Sequence, residues 1–169
     1  LLAVLFAALY CQAECLSAGE LESAVADFQT TMKPVISSLP LPLDISYESS
    51  KSRIGAFTYF EDGFFKIHVS GTQCHGLIHA DEFKLLLCHE LGHIAGGAPY
   101  ENSPEVVPRS SEGQADYYAT SQCLTKLISD PSRIVKASLN FSNYVHPAHG
   151  LASLPYKDYG PLPSLDQKD

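Results

Sequence analysis

Apolar residues near the start of the chain recur with the period of a helix. Leu21, Val25 and Phe28 are spaced four and three residues apart, which places them on one helical face. This spacing predicts a helix over residues 16–32. The pair Lys33-Pro34 should end it, because proline does not fit a helix interior.

Three short segments rich in β-branched and aromatic residues follow this helix. They predict strands at residues 41–48, 54–60 and 64–70. Glu61-Asp62-Gly63 separates the last two, and an Asp-Gly pair between such segments is a strong hairpin signal. The sequence therefore predicts a small three-stranded sheet that contains a hairpin.

The next segment, residues 81–95, predicts a helix that is apolar on nearly every side and should be central. Asp81 is suited to be its N-cap, and Gly96-Gly97 lies just past its end. Residues 97–109 contain three prolines and should form a loop. The order of helices and strands predicts an α+β fold.

Another helix is predicted from Ser111 to about residue 128. Ser111 precedes Gln114 by three residues, which is the spacing of a capping box. Beyond Pro131 the pattern weakens, although a further helix near residues 133–140 is compatible with it. The tail from about residue 146 is rich in proline and should be loosely packed.

Length and charge exclude several classes of protein. A chain of 169 residues with 45% hydrophobic residues is typical of one domain. Its 11 basic and 19 acidic residues give a formal net charge of −8. Because nucleic acids and anionic membrane surfaces attract positive charge, neither is an expected partner. The oligomeric state is left open.

The first 13 residues resemble a secretory signal peptide. Residues 1–10 carry no charge and are too few to span a bilayer, which needs about 20 apolar residues. Cys11-Gln12-Ala13 supplies small residues where a signal peptidase cleaves. We therefore expect a secreted or periplasmic protein of residues 14–169, without stable membrane insertion after cleavage. A buried N-terminal helix is the alternative.

Four cysteines remain after such a cleavage: Cys15, Cys74, Cys88 and Cys123. An even number in an oxidising compartment favours disulfides, but three pairings are possible. Cys88 follows three leucines, so it could equally be a buried free thiol.

The chemistry of the sequence is concentrated in the segment His89-Glu90-Leu91-Gly92-His93. Residues four apart share one helical face, so the two imidazoles can converge on one metal ion while Glu90 projects beside them. Two buried histidines without a metal are the alternative. Such a helix would then have to satisfy three buried polar groups in another way.

A catalytic zinc site needs a third protein ligand and an open position for water. The segment after His93 lacks the third histidine of metzincins, because Pro99 stands at that position. The following helix offers Glu112 as the ligand and Asp116 to accept the outer N–H of a ligating histidine. Without the preceding histidines, Glu112 and Asp116 would be interpreted as ordinary acidic residues near the start of a helix.

These two segments, HELGH and EGQAD, resemble the gluzincin class of zinc metallopeptidases, including M48-type enzymes. The resemblance implies a zincin-like domain with an active-site helix and a glutamate helix. It also implies one Zn²⁺ per chain on His89, His93 and Glu112, with Glu90 as general base. A sheet-edge strand should bind an extended peptide, and residues 64–70 are the expected edge.

One departure concerns the segment after the glutamate helix. M48-type enzymes are similar in having His-Pro and then Arg there, whereas this chain has His146-Pro147 and no later arginine. The group that stabilises an oxyanion is therefore undetermined. Tyr144, His146 and His149 are candidates by position alone.

The sequence thus predicts a secreted peptidase that hydrolyses a peptide or protein substrate with metal-activated water. The alternative is a secreted gluzincin-like zinc protein that binds a partner without catalysis. No feature of the sequence identifies the substrate or the cleavage specificity.

Overall fold

The computed structural model describes residues 16–48, 55–70, 79–101 and 108–148. The expected signal peptide, Cys15, Cys74 and the tail from residue 149 lie outside these ranges. The described chain is mixed α+β, and its elements in order are α1 (Ala18–Thr31), α2 (Lys33–Ile36), β1 (Leu43–Tyr47), β2 (Gly55–Glu61), β3 (Phe64–Ser70), α3 (Ala80–Ala95), α4 (Glu112–Tyr118), a π-helical turn (Ala119–Cys123), α5 (Leu124–Leu127) and α6 (Pro131–Ala148). None of the helices in this part is both long and apolar enough to cross a bilayer.

Helix α1 begins and ends close to its predicted limits. Ser17 caps it in a capping box with Glu20, and its core-facing side chains include Leu21, Val25 and Phe28. Helix α1 ends just before Lys33-Pro34, as predicted, but a second short helix, α2, begins at Lys33. Pro34 lies in the first turn of α2, where a missing N–H is tolerated.

The three predicted strands form one sheet with the order β1-β3-β2. Strands β2 and β3 make the predicted hairpin, with Asp62 at φ 52° and Gly63 at φ 83°, as a type I′ turn requires. Strand β1 pairs with β3 in parallel. The prediction that residues 64–70 form an edge strand is therefore wrong, because β3 is paired on both sides.

Helix α3 is central, as predicted, with Phe83, Leu87 and Leu91 fully buried. Its N-cap is His79 and not Asp81. The Asp81 carboxylate is instead held by Arg133, whose Nε and Nη2 donate to it at 2.9 and 2.7 Å. A long-range ion pair has therefore replaced the predicted local cap.

The predicted helix after Ser111 is continuous but contains a π-helical turn at Ala119–Cys123. Ser111 is its N-cap without a side-chain hydrogen bond, so the predicted capping box is absent. Gln114 donates instead to the carbonyl of Gly96, at 2.6 Å. This contact ties the start of α4 to the end of α3.

Helices α3 and α4 cross closely at Gly92. A Cβ atom at Gly92 would lie 2.7 Å from the carbonyl oxygen of Ala115, which is far inside van der Waals contact. The glycine therefore permits the close approach that brings the two helices together. A disulfide between Cys88 and Cys123 also links α3 to the π-helical turn. Cys88 is consequently not a free thiol.

Helix α6 extends well beyond the predicted residues 133–140 and includes residues 146–148, which were expected in a loose tail. Asn140 donates to Oε1 of the buried Glu82 on α3, at 2.6 Å. With the ion pair of Asp81 and Arg133, this contact fixes α6 against the start of α3. The side chains of Tyr144 and His146, and all of His149, lie outside the described structure.

Candidate metal centre

Two imidazoles lie one turn apart on the second half of α3. The ring centroids of His89 and His93 are 4.8 Å apart, and the rings meet edge to face. The His89 side chain is 12% exposed and that of His93 is 6% exposed. The helix thus presents two nitrogen ligands together at the edge of the core, as their four-residue spacing predicts.

Glu112, the first residue of α4, faces both rings. Its Oε2 lies 3.2 Å from Nε2 of His89, and its Oε1 lies 3.6 Å from Nε2 of His93. Bonds of about 2.1 Å to a tetrahedral ion would separate neighbouring donor atoms by about 3.4 Å. Each imidazole nitrogen therefore lies at metal-ligand spacing from one oxygen of Glu112.

The outer nitrogens of both imidazoles are held by separate partners. Nδ1 of His89 lies 2.8 Å from Oδ1 of Asp116, and Nδ1 of His93 lies 2.8 Å from the carbonyl oxygen of Ser110. Each acceptor favours a proton on Nδ1, so Nε2 is the nitrogen of each ring that faces Glu112. Asp116 therefore has the geometry expected of a residue that fixes the tautomer of a metal ligand.

Glu90 is buried beside these histidines, with 4% of its surface exposed. The Thr58 hydroxyl on β2 lies 2.8 Å from Oε2 of Glu90 and 3.0 Å from its main-chain carbonyl oxygen. Burial raises the pKa of Glu90, although the nearby His89 and the Thr58 hydroxyl act in the opposite direction. The carboxyl group of Glu90 thus lies buried next to the candidate ligands.

The pKa values of His89 and Glu112 are both shifted by the hydrogen bond between these two side chains. Burial lowers the pKa of His89, but hydrogen bonds to Asp116 and Glu112 outweigh this effect and raise it to about 10. The hydrogen bond from His89 lowers the pKa of Glu112, against an opposing effect of burial. A metal ion would compete with the proton for these same nitrogen and oxygen atoms.

The structure adds two charged residues that the sequence pattern does not identify. Arg109 donates to the Thr58 carbonyl at 2.8 Å and to Oε2 of Glu101 at 3.0 Å. Glu101 lies close to His93 and Glu112. Both residues come from the proline-rich segment that was predicted only as a loop. Only their charge could have marked Glu101 and Arg109 in the sequence, because no fixed spacing relates them to the histidines.

Two overlapping groups of side chains could hold a metal ion within the described part of the chain. One comprises His89, Glu90 and His93, and the other comprises His93, Glu101 and Glu112. In each group the potential ligand atoms lie within 4.8 Å of one another. Comparison with protein-family models, curated proteins and solved structures finds no match to this chain. The functional interpretation therefore depends on the geometry of the site.

Proposed function

We propose that this chain is a zinc-dependent peptidase of the gluzincin type with a zincin-like fold. One observation carries the proposal: two neighbouring helices bring two imidazole nitrogens and a carboxylate to metal-ligand spacing beside a buried glutamate. Nitrogen and carboxylate donors of this kind are typical of catalytic zinc sites with three protein ligands. The three-stranded sheet packed on α3 is also compatible with a zincin-like arrangement.

The proposed assignment gives each residue a separate role. His89, His93 and Glu112 hold one zinc ion per chain, and Asp116 fixes the orientation of the His89 ring. When bound, zinc supplies a Lewis acid that lowers the pKa of water toward about 7 and polarises a carbonyl group. Glu90 accepts the proton of the attacking water and delivers it to the nitrogen of the leaving amine. Thr58 holds one Glu90 oxygen during this transfer.

An extended peptide is the substrate class that suits the sheet beside the site. Among the residues that the structure describes, β2 is an edge strand of the sheet, and its Thr58 contacts Glu90. An edge strand can pair with an extended peptide through main-chain hydrogen bonds. Because Arg109 already binds the Thr58 carbonyl, such a peptide would have to pair with other residues of β2.

The proposal includes export from the cytoplasm. The uncharged apolar segment at residues 1–10 supports it, and so does the disulfide between Cys88 and Cys123, since disulfides persist in oxidising compartments. Sequencing the N-terminus of protein recovered outside the cytoplasm tests this part. A start at or near Glu14 is expected, and an exported protein with the apolar segment intact would contradict cleavage.

Metal analysis and a cleavage assay on the purified protein test the function itself. We expect one zinc per chain and cleavage of some member of a library of unstructured peptides. Chelation should abolish the activity and added zinc should restore it. Protein without bound zinc would contradict the metal site. Zinc-loaded protein that cleaves nothing would favour the alternative of a zinc protein that binds a partner without catalysis.

A further inference from the structure

Glu101 is held beside the candidate centre by a network of main-chain hydrogen bonds. Its N–H donates to the Arg109 carbonyl at 2.8 Å, and Ser110 N–H donates to the His93 carbonyl at 2.9 Å. Ser111 N–H donates in turn to the Pro99 carbonyl at 2.8 Å. The first and third of these contacts join the two sides of the loop to each other, and the second joins the loop to the end of α3. The position of Glu101 next to His93 is therefore fixed by the backbone.

The Glu101 carboxylate has two possible partners within reach. Oε2 lies 3.0 Å from Nη2 of Arg109, and the side chains of the pair are 26% and 28% exposed. The carboxylate also belongs to a group of potential ligand atoms, with His93 and Glu112, that lie within 4.8 Å of one another. The Glu101 carboxylate therefore lies within reach of both the guanidinium and a cation held by His93 and Glu112.

We propose that Glu101 is a second carboxylate ligand at this centre, which occupies the fourth position on the metal ion when its ion pair with Arg109 opens. The inference rests on the proposed function, because it takes His89, His93 and Glu112 as the other ligands. Four protein ligands close a zinc site, whereas three leave a position for water. The ion pair of Glu101 and Arg109 thus corresponds to the open form.

Arg109 is suited to act as the alternative partner. Its Nη1 donates to the Thr58 carbonyl on β2, so the guanidinium keeps a second anchor when Glu101 moves. In the open form Arg109 neutralises Glu101, and in the closed form the metal ion does so. The exchange therefore leaves neither the carboxylate nor the guanidinium without a partner. Removing Arg109 should shift the equilibrium toward the closed form.

Zinc affinity in a double-mutant cycle tests the proposal. The full chain is compared with Glu101→Gln, Arg109→Met and the double variant, by competition with a chelator. Glu101→Gln should weaken zinc binding at least about tenfold, because the neutral amide is a poor ligand that still accepts a hydrogen bond from Arg109. Arg109→Met should strengthen zinc binding in the wild-type background but not in the Glu101→Gln background.

Glu22→Gln is the matched control, since it removes the same charge from an exposed position on α1. The visible absorption of Co²⁺-loaded protein gives a second readout, because it reports coordination geometry. We expect a changed spectrum for Glu101→Gln and an unchanged one for Glu22→Gln. This readout needs no Arg109 variant, so it applies even where Arg109→Met fails to fold.

Three results would overturn the inference while leaving the proposed function intact. The first is a zinc affinity of Glu101→Gln equal to that of Glu22→Gln. The second is a Co²⁺ spectrum of Glu101→Gln that matches that of wild type. The third is an Arg109→Met effect on zinc affinity of the same size in the wild-type and Glu101→Gln backgrounds. The last result would show that the arginine acts only through its charge. Wild-type protein that binds no zinc would overturn the proposed function and this inference together.

Discussion

The two ends of α3 each bury a glutamate, and the two carboxylates have different partners. Glu82 is 3% exposed and accepts hydrogen bonds at both oxygens, from His79 N–H at 3.0 Å and from Asn140 at 2.6 Å. Glu90 is 4% exposed, and its Oε2 lies 2.8 Å from the Thr58 hydroxyl, beside two imidazoles. The same residue type is therefore buried to the same extent in two different environments.

The difference follows from what each end of the helix contacts. The first turn is fixed to α6 by polar pairs, so the Glu82 charge is satisfied within the folded chain. The second half faces β2 and α4, which supply a hydroxyl and two further carboxylates around the imidazoles. We infer that the first end contributes to stability and the second to chemistry. Substitutions at each end should separate these contributions.

The largest effect is expected at Glu112. Its side chain is 73% exposed, so as a proposed direct ligand it should contribute to metal binding and little to the core. Glu112→Ala should therefore lose stoichiometric zinc and reduce peptidase activity to background. The urea midpoint of the metal-free protein should fall only slightly, because one hydrogen bond from His89 is lost. Glu22→Gln serves as the control. Retention of zinc at wild-type affinity would remove Glu112 from the ligand set.

The second-largest effect is expected at the disulfide. Cys88 lies between Glu82 and Glu90 on α3, and its bond to Cys123 links α3 to the helix that carries Glu112. Its cysteines are 35 residues apart, and closing a loop of that length stabilises the folded state by about 4 kcal/mol in the chain-entropy account. The double variant Cys88→Ala with Cys123→Ala should lose stability of that order in urea unfolding. A loss below about 1 kcal/mol would contradict this account.

Asp116 should have a smaller effect that is confined to the metal. Asp116→Asn keeps the shape of the side chain but no longer provides a charged acceptor for the His89 N–H, so zinc affinity should fall about 10- to 100-fold. The carboxylate is 66% exposed, so the urea midpoint of the metal-free protein should fall only slightly. Competition with a chelator measures the first effect. Unchanged affinity would reduce Asp116 to an ordinary helix residue.

Glu82 provides the opposite test at the first end of α3. In Glu82→Gln one acceptor oxygen becomes a donor that faces the donor of His79 or Asn140, which should cost about 1 to 3 kcal/mol in urea unfolding. Zinc affinity and activity per folded molecule should equal those of wild type. Loss of activity in the folded variant would show that the two ends of α3 are not separable.

Features of the fold that depend on local signals were predictable from the sequence. The Asp-Gly hairpin, α1 and the central helix each follow from neighbouring residues. The sheet order was not predictable, because the pairing of β1 with β3 depends on contacts between distant segments. The N-cap of α3 was also predicted wrongly: the helix begins at Ala80, so Asp81 lies in its first turn and binds Arg133, which is 52 residues away along the chain.

The candidate site also contains some residues that a local sequence pattern predicts and others that it does not. A helical spacing of four residues predicts that His89 and His93 share a face, and their separation in the structure agrees with it. Glu112 and Asp116 share the same spacing on the next helix, and both face His89. Thr58, Glu101 and Arg109 reach the site through the folding of the sheet and the loop, which no local pattern encodes.

The assignment of chemistry to the second half of α3 is tested most directly by Glu90→Gln, with Glu82→Gln measured in parallel. The amide retains the shape of the carboxylate but cannot accept the proton of the attacking water. We predict that Glu90→Gln holds one zinc per chain, stays folded and hydrolyses peptides at least about 100-fold more slowly than wild type. Cleavage by Glu90→Gln at the wild-type rate, with zinc bound, would contradict the account.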